Sequence, residues 1–370
     1  MKKRSRFSLR ITASFLFGRD GPLALQKNMK RIIPFLMTLL LAQTACQFLA
    51  EPSVRQDGAE KVLVSEGGSL QNPAWSPDGK TLLFTRFQHG YNQGPADILL
   101  LRLFSTGESK ILVTDGNDNI NLPGSSWNPI TNQIVFSSTR DPHDEIYVID
   151  ADGESGDERQ VTSRAGQVAY EPSLSPDGTW VVFESHPLDV EEKGRIVKYK
   201  LDGSQTYINL TGPDGDARQP NWSPAGDLIL YQALATGQWD VWVMNTDGTD
   251  PRQVTIGPGN KTDASFSPDG NWIVYSYEDP IEDIANLYVI STQGGQPIRV
   301  TNFEGYDGAP SWSPNGKWIA FESSASPDPE ETGTTLWLIM APSKYDLYGV
   351  FLFPGYQYIW GGKACLSFSS

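Results

Sequence analysis

The chain has 370 residues, enough for one large domain or two ordinary ones. Its 35 Gly and 26 Pro suit many short strands joined by tight turns better than long helices, and 11 Trp, 14 Tyr and 16 Phe add a strand-favouring aromatic load. The formal charge is −15. Because the first 46 residues hold nine Lys/Arg and one Asp, the remainder carries −23, a surface that repels phosphate backbones and excludes nucleic acid as an expected partner.

At the N-terminus, Met29-Lys30-Arg31 forms a short positive region, followed by the apolar run Ile32 to Ala42, small residues at Thr44 and Ala45, and then Cys46. Charge, short apolar core and small cleavage site are the layout of an export signal, and the run is too short for a comfortable membrane-spanning helix. Residues 1–46 are therefore expected to be a signal region, with Met29 as a possible start. Cys46 is the expected lipidation site after cleavage. Gln43 stands where lipoprotein signals place Leu, so ordinary cleavage near Ala45 or Ala50 is the alternative. Residues 47–60 read as a polar tether. The chain has two cysteines, Cys46 and Cys365, and no CxxC pair or zinc pattern.

From there the chain repeats. Trp75-Ser-Pro-Asp-Gly79 returns at Leu174 and Phe266, as Trp222-Ser-Pro-Ala-Gly226 and Trp312-Ser-Pro-Asn-Gly316, and in a divergent copy, Trp127-Asn-Pro-Ile-Thr-Asn132. The anchors are 52, 47, 48, 44 and 46 residues apart, the spacing of four-stranded propeller blades. Each anchor ends a first strand. The Ser-Pro-Asp-Gly turn follows, with Pro presetting φ and Gly closing. A second strand carries an aromatic residue five positions after the turn Gly, as at Phe84, Phe183 and Phe321. A third apolar strand comes next, and a short fourth one often ends in Val-Thr, as at Val254-Thr255.

Six first-to-third sets are present but only five fourth strands within them. Lys61-Val-Leu-Val-Ser65, ahead of the first anchor, resembles the missing one. The expected fold is all-β: a six-bladed β-propeller over 61–340, with four-stranded blades and the ring closed by the N-terminal strand in the last blade. Such pairing removes exposed strand edges. The tail, 341–370, is aromatic and irregular and breaks the repeat.

Aromatic-Ser-Pro-Asp-Gly copies followed by an apolar strand resemble the WD-like propeller repeats of the TolB family, from about Lys61 to about Met340. That resemblance implies a scaffold engaging envelope proteins through a propeller face. TolB-type proteins carry a separate domain ahead of the propeller. Only residues 47–60 separate Cys46 from the first strand, so a generic surface protein is expected rather than a Tol-system component.

No Gly-x-Ser-x-Gly elbow or phosphate-binding loop appears, and His89, His143 and His186 are scattered over three repeats. No metal or cofactor is expected. Loops entering the first strands should form a funnel at one mouth of the central channel. The candidate binding residues there are Asn72, Asn121, Tyr170, Glu171, Arg218, Gln219, Asp263, Tyr306 and Asp307. Tyr and Arg are favoured anchors at binding surfaces. The expected function is a non-catalytic, exported, protein-binding scaffold, a monomer, membrane-held only through a lipid on Cys46. The alternatives are a propeller enzyme or enzyme fragment (a glycan lyase, or the gating propeller of a serine peptidase) and a small-ligand or sugar sensor.

Overall fold

The computed structural model describes residues 54–62, 68–103, 109–114, 120–121, 126–141, 143–190 and 193–343. The export signal, Cys46, Cys365 and the tail beyond 343 lie outside the described residues. Within them the chain is all-β apart from one helical turn, Pro329–Thr332, and no helix is long and apolar enough to cross a membrane.

Four sheets are four-stranded antiparallel meanders. The first holds Ser69–Trp75, Thr81–Phe87, Ala96–Arg102 and Ser109–Val113. The second runs from Ile120–Asn121 to Arg159–Gln160, the third from Tyr170–Leu174 to Tyr207–Asn209, and the fourth from Ala217–Trp222 to Arg252–Gln253. A fifth sheet has eight strands. Its halves begin at Asn260–Phe266 and Tyr306–Trp312, and one parallel pair, Ala285 with Tyr306, joins them.

The turns explain why the repeat motif folds this way. Ser76 Oγ donates to Asp78 Oδ1 (2.7 Å) and accepts from Thr81 N–H (2.9 Å), while Asp78 Oδ1 accepts from Lys80 N–H (3.0 Å). The serine hydroxyl holds the Asp78 carboxyl below its ordinary pKa. Gly79 adopts φ +68°, a conformation that side chains resist. The same hydroxyl clamp recurs at Ser175, Ser267 and Ser313. Where Ala225 replaces the acid, Ser223 bonds Asp227 instead (2.7 Å).

The Val-Thr ends are equally mechanical. Thr162 Oγ1 accepts from Ile146 N–H (2.8 Å) and donates to Glu145 Oε2 (2.6 Å), stitching the fourth strand to the third. Thr255 does the same with Val241 N–H and Asp240, and Thr301 with Leu287 N–H and Asn286.

The core lies between neighbouring sheets rather than inside one. Leu83, Ile98 and Leu112 of the first sheet pack on Ile134, Phe136 and Ile149 of the second, and equivalent clusters join each successive pair. Phe84, Phe136, Phe183 and Phe321 are fully buried, each contributing about 2–3 kcal/mol of transfer free energy. The first sheet also packs on the last strands of the fifth: Trp75 and Leu82 meet Ala320, and Trp75 Nε1 donates to Ser311 O (3.0 Å).

Within the stretch expected as a tether, Arg55 and Ala59 are buried. Glu60–Lys61 pairs antiparallel with Trp337 and Leu338, and Val62 N–H continues to Leu336 O. Residues 63–65, the rest of the expected closing strand, lie outside the described residues. Ala59 is fully buried. Arg55 uses all five donors: Nη1 and Nη2 reach Asp307 (2.7 and 2.8 Å), Nη1 reaches Ser323 Oγ (3.1 Å), and Nε and Nη2 reach Asp57 (3.3 and 2.6 Å). Its guanidinium lies 4.2 Å from the Phe303 ring centre. Burial pulls the Arg55 pKa down, but Asp307 and Asp57 outweigh it and the net shift is upward. Charged anchors disguise this segment as solvated chain.

Replacing Arg55 with Leu leaves Asp307 buried and unpaired, and should lower the unfolding free energy by about 3–5 kcal/mol in urea titration. The double variant Arg55→Leu/Asp307→Leu should recover most of that loss.

Candidate functional site

In the first strands, three residues before the anchor, the ladder slips. The register shifts between Gln71 and Ala74, Tyr170 and Ser173, Arg218 and Asn221, Thr262 and Ser265, and Gly308 and Ser311. At each bulge the residue at anchor minus three takes a left-handed φ: Asn72 (52°), Glu171 (48°), Gln219 (50°), Asp263 (52°) and Ala309 (44°). None is glycine, and Glu171, Gln219 and Ala309 each cost roughly 1–2 kcal/mol, while Asn72 and Asp263 adopt this conformation more readily. The Glu171, Gln219 and Asp263 side chains meet one another across the sheets, and Asn72 meets Asn121.

A hydrogen-bonded belt results. Asn72 Nδ2 donates to Asn121 Oδ1 (2.7 Å), and Asn121 Nδ2 donates to Tyr170 OH (2.7 Å). Beside Tyr170, Glu171 Oε1 accepts from Gln219 Nε2 (3.1 Å), which also reaches Asp263 Oδ1 (2.8 Å); Gln219 Oε1 accepts from Asp263 N–H (3.0 Å). At the other end of the belt, Asn72 N–H donates to Glu322 Oε2 (3.0 Å). The belt thus draws a side chain from each of the five sheets, including both halves of the eight-stranded one.

Sequence reasoning missed Glu322, Tyr91 and Glu184. Tyr91 OH and Tyr306 OH both donate to Glu322 Oε1 (3.1 and 3.3 Å), and the two rings meet edge-on at 6.1 Å. Glu322 and Glu184 each follow the buried second-strand aromatic, at Phe321 and Phe183. The corresponding positions elsewhere hold Thr85, Ser137, Gln232 and Ser276. A charge breaking that otherwise small or neutral series was the available signal.

Burial dominates the electrostatics. It pushes the Glu322 carboxyl up to about 8, helped by the nearby Asp263, and Glu171 up to about 7. Glu184 is raised by burial and by Glu171, and Asp263 by burial. Arg218 sits among these acids. It donates from Nε and Nη2 to Asp216 (3.0 and 2.9 Å) and stands 3.7 Å from Glu184.

Asp307 does not join the belt. Its carboxylate is fully buried in the pair with Arg55, so its place among the mouth residues is corrected. The reason is strand alternation: Tyr306 and Asp307 are neighbours and point to opposite faces. The histidines stay apart, His89 Nδ1 on Gly94 O, His143 Nε2 beside Glu145 and His186 Nδ1 on Pro187 O. Among the described residues no group of three or more His, Cys, Asp or Glu is arranged to hold a metal ion.

Two cavities are lined by the first strands and their flanking loops. One, of about 300 Å³, lies at the Ser-Pro turn end, lined by Trp75, Trp222, Trp312 and the turn prolines. The other, of about 810 Å³, opens beside the belt at Gln219, Asp263 and Tyr306.

Residues 53–235 match the family model for the TolB β-propeller domain. The chain is a TolB-like β-propeller. An uncharacterized protein of Agrobacterium fabrum, Atu1656, is 30% identical over 164 residues, covering 42% of this chain and 52% of that one. A TolB homolog of Chlorobium luteolum is 31% identical over 142 residues, 38% of this chain and 30% of its own length. The TolB-like chain therefore spans about half, or less, of these curated relatives. A putative TolB from Agrobacterium tumefaciens shares the fold, with a TM-score of 0.54 at 19% identity over 74% of this chain and 91% of that one. TolB from Acinetobacter baumannii also scores 0.54, at 18% identity over 76% and 65% of the two chains.

Below pH 4.5, Glu322 is protonated in both folded and unfolded chains and its stabilisation is fully present. As pH rises toward 8 the unfolded chain alone releases the proton and the stabilisation is lost. Glu322→Gln keeps an acceptor for Asn72 and a neutral group beside the tyrosines. Thermal melts from pH 5 to 8.5 should show this variant losing much of the wild-type decline, a gain on the order of 2–4 kcal/mol at pH 8.

Proposed function

We propose that this TolB-like chain is a non-catalytic binding scaffold of the cell envelope, exported by its N-terminal signal, and that the belt at the channel mouth is its recognition surface. The observation that carries the reading is the repeated left-handed bulge. Five non-glycine residues hold a costly backbone conformation at the same repeat position, and four of them supply polar side chains to one mouth. Strain retained repeatedly in one place is a hallmark of function, and loops on a rigid scaffold are where binding residues gather. Curated relatives include a Tol-Pal system protein TolB of Francisella tularensis, 28% identical over 183 residues, 49% of this chain and 39% of its own.

The proposal includes six blades, with the eight-stranded sheet counted as two. Its support is that sheet's single joining pair and the two first-strand anchors it contains. Closure by the N-terminal segment is part of the same reading, supported by the pairing of Glu60–Lys61 with the last strand and by the Arg55–Asp307 ion pair. Lipidation at Cys46 would hold a monomeric propeller at the membrane surface, leaving the mouth free for an envelope protein or a small ligand.

Tyr170→Phe combined with Arg218→Lys removes one belt hydroxyl and the forked, partly exposed guanidinium while keeping a cation beside Asp216 and Glu184. Recovery of cross-linked envelope partners should fall about tenfold, with the thermal midpoint shifted by only a few degrees. Unchanged recovery would remove the belt from the binding surface.

A further inference from the structure

The cavity of about 300 Å³ at the Ser-Pro turn end is built from the repeat itself. Each sequence repeat gives it an anchor side chain and a turn proline, Trp75 with Pro77 first and Trp312 with Pro314 last. None of the lining residues carries a charge. Several of the polar ones are already engaged: Ser173 Oγ accepts from Trp222 N–H (3.2 Å), Ser265 Oγ donates to Pro310 O (2.8 Å), and Asn128 Nδ2 donates to Ser175 O (2.8 Å). Rings and prolyl faces remain, a surface that suits an aromatic occupant better than an ion.

The chain carries such an occupant beside the cavity. The strand Thr335–Met340 runs toward this end of the sheet. Met340 pairs with Trp318, and Ala341 N–H donates to Lys317 O (2.9 Å), directly after the turn that holds Pro314. The described residues stop at Ser343. Beyond it, Tyr345 to Trp360 holds seven aromatic residues and a single charged one, Asp346. Water penalises that much apolar surface unless something covers it. Two large apolar side chains also stand bare at the same end. Met340, where the chain leaves the sheet, is 68% exposed, and Ile130, next to Pro129 of the lining, is 70% exposed.

The reach is ample. Thr335–Met340 lies two strands out from Tyr306–Trp312, whose last residues line the cavity, a gap of about 10 Å at ordinary strand spacing. Phe353 follows Ser343 by ten residues, and an extended chain of that length spans about 33 Å.

We propose that the aromatic segment 345–360 folds back onto the Ser-Pro turn end of its own chain and seats its rings in this cavity. The short tether favours the chain's own segment over a second copy, because it sets an effective concentration on the order of 1 mM. Docking there leaves the belt open to a partner.

The test uses the full chain with p-benzoylphenylalanine placed at position 353, irradiated at low protein concentration and mapped by mass spectrometry. Adducts should form within one chain, on peptides containing residues 127–130, 174–176, 222–224 or 312–314. Adducts confined to the belt end, adducts only between two chains, or none at all would each overturn the proposal. A second measurement titrates a labelled peptide of residues 345–353 into the wild-type chain and into the full-length variant Tyr348→Ser/Phe351→Ser/Phe353→Ser. The variant's cavity is no longer occupied in cis, so it should bind the peptide at least about tenfold tighter than wild type. Equal affinity for the two chains, or no binding to the variant, would contradict the assignment.

Discussion

The two-against-one bulge in the first strands is the constraint on which the site depends. A regular strand would keep the side chains at anchor minus three in alternation, pointing between sheets. The bulge re-aims them, so that Asn72, Glu171, Gln219 and Asp263 lie within hydrogen-bonding reach of partners in neighbouring sheets. The hydroxyl-clamped turn only a few residues later fixes where each first strand ends. Belt and turn are therefore held in register, and the polar mouth follows from the same repeat that builds the sheets.

The belt is held at an energetic cost. Left-handed backbone and buried carboxyl groups both destabilise the fold, and burial pushes the Glu171, Glu184 and Glu322 carboxyls above the ordinary carboxylate range. The inter-sheet cores and the five-donor anchorage of Arg55 offset that cost from outside the mouth. Such a division between a stabilising periphery and a strained centre is expected when rigid scaffolding presents polar groups to a partner.

Much of the fold was legible in the sequence because its signals are local. Ser-Pro-Asp-Gly works through one hydroxyl and one carboxylate within five residues, and Val-Thr through one threonine hydroxyl. The packed segment around Arg55 was not legible. Its stabilising contacts are with Asp307 and Ser323, some 250 residues away, and an Arg-x-Asp pattern reads as solvated chain. The site was readable in part for the same reason. Position relative to the anchor picked out Asn72, Glu171, Gln219 and Asp263, whereas Glu322 and Tyr91 reach the mouth from a second strand and a loop. Asp307 was misread because loop entry points do not reveal which face a residue takes.

The most direct measurement is on Gln219, which joins two neighbours of the belt through a left-handed backbone. Gln219→Gly relieves the backbone cost and deletes the proposed recognition group together. The account predicts an unfolding free energy within about 1 kcal/mol of wild type, as strain relief offsets the lost hydrogen bonds, alongside a clear drop in partner recovery. A large loss of stability with partner recovery intact would show instead that the bulged residues serve the fold and not recognition.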